Sequence, residues 1–146
     1  MLELLAPAGN LDAVIAAVQN GADAVYMGFG DGFNARRSAD NFTRESFAKA
    51  VRYCHIRGCK VYVTLNTLVG DREMEAAAAL AQQASDAGAD AILVQDLGLA
   101  RVLRAALPDI PLHASTQMSI HNLAGVEAAA EMGITRAVLS RELSLE

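Results

Sequence analysis

The sequence predicts an α/β fold, a TIM-like (β/α) barrel that is incomplete, with about six βα units of parallel sheet. Short apolar segments alternate with longer segments of helical periodicity, most of which end in glycine. The segments 21–25 and 88–92 read Gly-Ala-Asp-Ala followed by Val or Ile, and both stand where a helix gives way to a strand. Polar residues follow nearly every strand, as in barrel enzymes, whose sites are assembled from several strand ends. An open doubly wound sheet, with its ligand at one switch point, is the alternative.

The pattern assigns each element in chain order. Apolar segments predict strands at residues 2–5, 24–27, 60–65, 91–94, from 112 onward and 137–139. Between them, helical spacing predicts helices at about residues 10–20, 43–58, 71–88, 97–107 and 122–132. Asn10, Thr43 and Asp71 are suited to cap the first three helices, since their side chains accept hydrogen bonds from free backbone N–H groups.

The stretch after Pro111 departs from the pattern of a buried parallel strand. A strand from Leu112 would place His113, Ser115 and Gln117 on one face. Buried parallel strands are usually almost continuously apolar, and polar groups there are costly unless they bond to each other or to a ligand. A structural hydrogen-bond network is one interpretation. We favour a functional site, because breaks in local rules concentrate at such sites.

Other polar residues near the strand ends extend this predicted site. We expect the catalytic residues to come from His113, Ser115, Gln117 and Glu142. We expect substrate binding by Asn66, Gln95, Asp96, Arg36 and Arg141. Arg36 lies in a long loop, residues 28–41, that we expect to cover the barrel mouth, although a solvated arginine pair with Arg37 is equally compatible.

The usual motifs of serine hydrolases and of helical two-histidine metal sites are absent from the sequence. Ser115 has no GxSxG nucleophile elbow around it. The histidines His113 and His121 do not form the two-histidine pattern of one helix, so no metal site is assigned.

Composition narrows the class of protein. Hydrophobic residues make up 53% of the 146-residue chain, which indicates a folded core. No apolar run reaches the ~18 residues of a membrane span, and the start lacks a basic signal-peptide region, so we expect a cytoplasmic protein without a membrane partner. The net charge of −5 provides no general attraction for polyanions. Cys54 and Cys59 are too few for a disulfide framework and are interpreted as buried apolar residues.

Six motifs together resemble one protein family. They are Glu3-Leu4-Leu5-Ala6-Pro7-Ala8-Gly9-Asn10, Gly21-Ala22-Asp23-Ala24-Val25-Tyr26-Met27-Gly28, Val63-Thr64-Leu65-Asn66-Thr67, Val94-Gln95-Asp96-Leu97-Gly98, His113-Ala114-Ser115-Thr116-Gln117 and Leu139-Ser140-Arg141-Glu142-Leu143-Ser144. The combination is similar to the collagenase-like peptidase family, the thirty-second family of peptidases of unknown catalytic type, along the whole chain.

The resemblance implies a TIM-like barrel and a hydrolase that acts on peptides. Similar proteins take part in hydroxylating tRNA or ribosomal RNA bases, or ubiquinone precursors, with prephenate or iron–sulfur chemistry implicated, which makes a hydroxylation factor the alternative. A truncated barrel without activity of its own is the third interpretation. The iron–sulfur cysteines of related proteins would lie downstream, and Cys54 and Cys59 do not match them, so no cofactor is assigned.

The predicted barrel has fewer units than closure requires. A closed barrel has eight βα units in about 250 residues. We therefore expect residues 1–146 to form one N-terminal, partial barrel domain of a longer protein, or a chain completed by a second copy. Open strand edges favour association, so we predict a homodimer through the open barrel side. The expected substrate is a peptide or an RNA.

Overall fold

Six parallel strands alternate with helices in the computed structural model, which describes residues 2–35 and 41–144. The strands are β1 (Leu5–Pro7), β2 (Ala24–Met27), β3 (Lys60–Leu65), β4 (Ala91–Val94), β5 (Leu112–Ala114) and β6 (Ile134–Ala137). The helices are α1 (Leu11–Gln19), α2 (Arg44–His55), α3 (Met74–Asp86), α4 (Leu97–Ala106) and α5 (Leu123–Glu131), with a 3₁₀ helix at Thr116–Met118. The strands pair in chain order, so the predicted incomplete TIM-like barrel is confirmed.

The two faces of the sheet have different partners. Along β3, Val61, Val63 and Leu65 are fully buried in the core between sheet and helices. Tyr62 packs on the opposite face with Ala24, Ala91 and Leu93. Because side chains alternate along a strand, this second face is the inner side of the barrel.

The helix starts follow local capping chemistry in most cases. Asn10 Oδ1 accepts the Ala13 N–H at 2.8 Å, and Thr43 caps α2 in the same manner, as predicted. The prediction for Asp71 is wrong, since α3 begins after Glu73, which makes no side-chain cap bond to the helix. The Glu73 carboxylate instead accepts the Gly70 N–H at 3.0 Å and closes a turn ahead of the helix. No helix in the described ranges has the length and apolar character needed to cross a bilayer.

The outer strands are shifted relative to the sequence prediction. β1 begins at Leu5 instead of Leu2, and β6 ends at Ala137 instead of beginning there. Strand pairing, which an apolar run does not reveal, sets these limits: Leu5 lies opposite Ala24, and Ala137 lies opposite Ala114. β1 and β6 are the two sheet edges, and the neighbouring Leu4 and Leu139 are exposed. Burial of this open side by a second copy stays a prediction.

A polar cluster on the inner side links the two edges of the sheet; we call it the barrel floor, and it consists of Glu3, Lys60, Tyr62, His113 and Arg136. Arg136 forms an ion pair with Glu3, using Nη1 on Oε1 and Nη2 on Oε2, the latter at 3.3 Å. Tyr62 donates its hydroxyl to the same carboxylate at 3.0 Å, and Lys60 Nζ lies 4.0 Å from it. The His113 ring packs edge-on against Tyr62, with ring centroids 4.9 Å apart.

The charges of the barrel floor are set by pairing and burial. The hydrogen bond from Arg136 holds the pKa of Glu3 below its usual range. Burial raises the pKa of Tyr62 to about 12. Burial, reinforced by the positive charge of Arg136, lowers the pKa of His113 to about 4. At neutral pH the floor therefore contains an ionised carboxylate, a cationic arginine and a neutral imidazole.

We expect Arg136→Met to lower the free energy of unfolding by about 1–2 kcal/mol, between the values for exposed and fully buried ion pairs. The partly buried Glu3 carboxylate would lose its main partner. Urea denaturation measures the change, with Arg101→Met on α4 as the control because Arg101 is exposed and makes no ion pair among the described residues. Equal losses for the two variants would contradict a stabilising role for the floor pair.

We expect acid to destabilise the fold through His113. Its folded pKa of about 4 lies below the ordinary histidine value of 6.5, so the neutral imidazole contributes its full stabilisation above pH 6.5. That contribution is lost as the pH falls from 6.5 to about 4, since the unfolded chain then binds a proton that the folded chain does not. Between pH 4 and pH 6.5, His113→Gln should reduce the slope of the free energy of unfolding against pH by at most about 1.4 kcal/mol per pH unit.

Denaturation midpoints between pH 4 and pH 7 test this expectation, with the exposed His121→Gln as control. Parallel curves for wild type and His113→Gln would refute it.

Candidate functional site

The chain leaves the sheet directly after Ala114, which changes the predicted geometry of this stretch. β5 ends there, and Thr116–Met118 forms a 3₁₀ turn preceded by Ser115. Ser115 Oγ accepts the Gln117 N–H at 3.3 Å, the local bond by which serine competes with strand pairing. The prediction that His113, Ser115 and Gln117 share one strand face is therefore wrong, because the strand does not extend to Gln117.

The turn places Ser115 and Gln117 at a small cavity of about 180 Å³ on the inner side, beyond the carboxyl ends of the strands; we call it the mouth pocket. Its apolar wall comes from Leu5, Leu93 and Val138. Its polar side chains are Tyr26, Thr64, Asn66, Ser115, Thr116, Gln117 and Arg141, and Ala35 completes the lining. Barrel enzymes carry their sites at this end of the strands, so the mouth pocket is the candidate functional site.

A chain of hydrogen bonds holds one wall of the mouth pocket. Asn66 Oδ1 accepts the Ala35 N–H at 3.1 Å, and Asn66 Nδ2 donates to Ser115 Oγ at 3.2 Å. These bonds connect the loop after β2 with the ends of β3 and β5. Ser115 is only 3% exposed, so its side chain is fixed in position.

Four of the predicted site residues are brought together here: Asn66, Ser115, Gln117 and Arg141 all line the mouth pocket. Arg141 lies in the turn after β6, and its side chain is exposed at the rim. Arg36 lies outside the described residues. Ala35, its neighbour, contacts Asn66, so the loop from β2 reaches the pocket.

The two residues that follow β4 have other positions. Asp96 caps α4, because its Oδ1 accepts the Leu99 N–H at 2.8 Å while Oδ2 accepts the Val69 N–H at 3.4 Å. Gln95 is not part of the pocket lining. The chain enters α4 immediately after the strand, so this strand end is used for helix capping.

The remaining catalytic candidates are also separate from the mouth pocket. His113 lies in the barrel floor against Tyr62, and Ser115 bonds to Asn66 and Gln117 instead of to this imidazole. The Glu142 carboxylate accepts the Ser140 hydroxyl in the turn after β6, and this bond lowers its pKa. Neither residue lines the pocket.

Sequence reasoning missed three polar residues of the pocket: Thr116 in the 3₁₀ turn and two residues within strands. Tyr26 and Thr64 stand within strands that read as apolar, and both line the mouth pocket. Thr64 Oγ1 also donates to the Met27 carbonyl at 3.2 Å. The alternation of side chains along a strand could have revealed Tyr26 and Thr64, because both residues stand between neighbours that face the helices and must therefore face the inner side.

Two other cavities contain none of the predicted catalytic residues. A groove of about 920 Å³ lies between α4 and α5 on the outer surface, lined by Arg101, Arg104 and Met132 among others. The Arg104 guanidinium group has a structural role there, since it donates hydrogen bonds to the Pro108 carbonyl at 2.8 Å and to the Ile110 carbonyl at 2.6 Å. A third cavity, of about 490 Å³, lies between the loops after β2 and β3.

The cysteines do not fit an iron–sulfur cluster. Cys54 and Cys59 are buried in the core between α2 and the sheet, and burial raises the pKa of Cys54 to about 12. Within residues 2–35 and 41–144, no group of three or more His, Cys, Asp or Glu side chains is placed to hold a metal ion.

Two curated relatives match almost the whole chain. The 23S rRNA 5-hydroxycytidine C2501 synthase of Escherichia coli (strain K12) is 42% identical over 99% of the chain and 21% of its own length. The tRNA hydroxylation protein P1 of Bacillus subtilis (strain 168) is 39% identical over 97% of the chain and 33% of its own length. The chain thus spans about a third or less of these relatives.

Two further comparisons concern the fold and the family. The solved structure of the U32 peptidase Mk0906 superposes with a TM-score of 0.76 at 16% identity, covering 95% of this chain and 58% of that one. The family model described as peptidase family U32 matches residues 9–146. The chain belongs to peptidase family U32.

Proposed function

We propose that this chain is the amino-terminal barrel portion of a protein that takes part in hydroxylating pyrimidine bases of tRNA or ribosomal RNA. The observation that carries the proposal is the 42% identity to a 5-hydroxycytidine synthase over 99% of the chain. The tRNA hydroxylation protein at 39% identity supports the same class of reaction.

The mouth pocket supports a base as the bound group. Its volume of about 180 Å³ lies below the roughly 300–1,000 Å³ of most ligand pockets, which favours a single ring over a peptide segment. Amide and hydroxyl groups, such as Asn66 and Ser115, pair with the polar edge of an unstacked base, and an aromatic ring such as Tyr26 offers a stacking surface. Arg141 at the rim is suited to a backbone phosphate.

Peptide hydrolysis, our first interpretation of the sequence, is the second candidate function. The family description and the name of the solved U32 structure favour it. The side chains of the pocket give it less support, because the Ser115 hydroxyl has Asn66 and Gln117 as partners in place of a histidine. Burial raises the pKa of the Cys54 thiol to about 12, which disfavours the reactive thiolate.

The proposal is tested by mass spectrometry of nucleosides from tRNA and ribosomal RNA of a strain that lacks the gene. We expect one hydroxylated pyrimidine nucleoside to disappear and to return with the wild-type gene. Asn66→Ala and Arg141→Gln should restore it at least about tenfold less well, since each removes a polar group from the pocket. Arg101→Gln, on the outer surface of α4, is the matched control and should restore it fully.

Identical nucleoside profiles in the deletion strain and its parent would overturn the proposal. Peptide hydrolysis by the purified protein that is lost in Ser115→Ala would favour the second candidate.

A further inference from the structure

We infer that Ser115 is the hydrogen-bond donor that the mouth pocket presents to a carbonyl oxygen of the base, and that Asn66 fixes the direction of this donor. The inference rests on the proposed function and assigns the residue that selects the base within it.

The direction of the Asn66 amide follows from its partner. The backbone N–H of Ala35 lies 3.1 Å from one end of the Asn66 amide. A backbone N–H is only a donor, so this end of the amide must be the oxygen, Oδ1. The other end of the amide is therefore the NH₂ group. It lies 3.2 Å from Ser115 Oγ and donates to it.

The second bond to Ser115 has an equally definite direction. The Gln117 backbone N–H lies 3.3 Å from Ser115 Oγ and is also only a donor. A serine hydroxyl has two lone pairs and one proton. With both lone pairs engaged by Asn66 and Gln117, the proton remains to be donated.

The Ser115 proton has no acceptor among the described residues, although the side chain is 3% exposed and lines the mouth pocket. A buried donor without an acceptor is unfavourable, so the site favours a ligand that supplies one. Cytosine and uracil share a carbonyl oxygen at the same ring position, whereas adenine has no carbonyl oxygen. A fixed donor at Ser115 therefore accepts either pyrimidine and disfavours adenine.

Arg141 supplies the second part of the recognition. Its guanidinium group lies at the rim of the same pocket, and among the described residues it makes no salt bridge. A phosphate attached to the bound nucleoside is the group of opposite charge. Base selection by Ser115 and phosphate attraction by Arg141 are thus separable contributions.

Isothermal titration of the full chain with four compounds tests the inference: cytidine, uridine and adenosine monophosphates, and ribose 5-phosphate. We expect the two pyrimidine nucleotides to bind more tightly than the other two. Ser115→Ala should weaken pyrimidine binding by about tenfold, as expected for one lost hydrogen bond in a buried site, with little change for ribose 5-phosphate. Arg141→Gln should weaken binding of all four phosphates.

The sharpest variant is Asn66→Asp, which preserves the size of the side chain and the bond from Ala35. The new carboxylate accepts the Ser115 proton and so removes the donor from the pocket. It should weaken pyrimidine binding about as much as Ser115→Ala does, while Ser115→Thr, which keeps the hydroxyl, should bind within about threefold of wild type. Thermal melting by circular dichroism verifies that each variant is folded.

Wild-type affinity in folded Asn66→Asp would overturn the inference. So would equal binding of adenosine and cytidine monophosphates, or of cytidine monophosphate and ribose 5-phosphate. The RNA proposal fails separately: donor-dependent pyrimidine binding together with unchanged RNA nucleosides in the deletion strain would support the role of Ser115 and remove hydroxylation as the function.

Discussion

The ion pair between Glu3 and Arg136 joins the two edges of the sheet across the inner side of the barrel. Its members are 133 residues apart in the chain, one just before β1 and the other in β6. β1 and β6 do not pair with each other in the described sheet, and this side-chain contact connects its two edges. Removing two charges from water is costly. The Tyr62 hydroxyl, which donates a hydrogen bond to the Glu3 carboxylate, and the positive charge of Lys60 nearby lower that cost.

The barrel floor and the mouth pocket are formed by different residues. Leu5, Leu93 and Val138 form an apolar wall of the mouth pocket, whereas the charged groups of the floor are not part of its lining. His113 belongs to the floor, where burial keeps its imidazole neutral. The amino-terminal side of barrel strands generally serves stability, and the carboxyl-terminal side carries the site. In this chain the candidate site likewise lies beyond the carboxyl ends of the six described strands.

Local chemistry was largely predictable from the sequence. The alternation of apolar and amphipathic segments indicated the parallel sheet, and Asn10 and Thr43 are caps as expected. Asn66, Ser115, Gln117 and Arg141 were identified because polar residues after barrel strands converge at one opening. Asp96 caps α4, a role that the pattern alone does not distinguish from substrate binding when a helix follows the strand immediately.

Long-range pairing and small shifts of the backbone were not predictable. His113 was grouped with Ser115 on the assumption that the strand continues to Gln117, whereas Ser115 bonds its own backbone neighbour and ends the strand. The bond between Glu3 and Arg136 connects opposite ends of the chain, and no local spacing reveals it. Tyr26 and Thr64 were read as strand formers because their role depends on which face the sheet turns inward.

We propose that the mouth pocket, and not the barrel floor or the outer groove, is the site of ligand binding. Backbone amide NMR spectra recorded during a titration with cytidine monophosphate test it residue by residue. We expect the largest shifts at Ala35, Asn66, Ser115, Gln117 and Arg141, with small changes at Glu3, His113 and Arg136. Shifts centred on the barrel floor, or on the groove between α4 and α5, would contradict it.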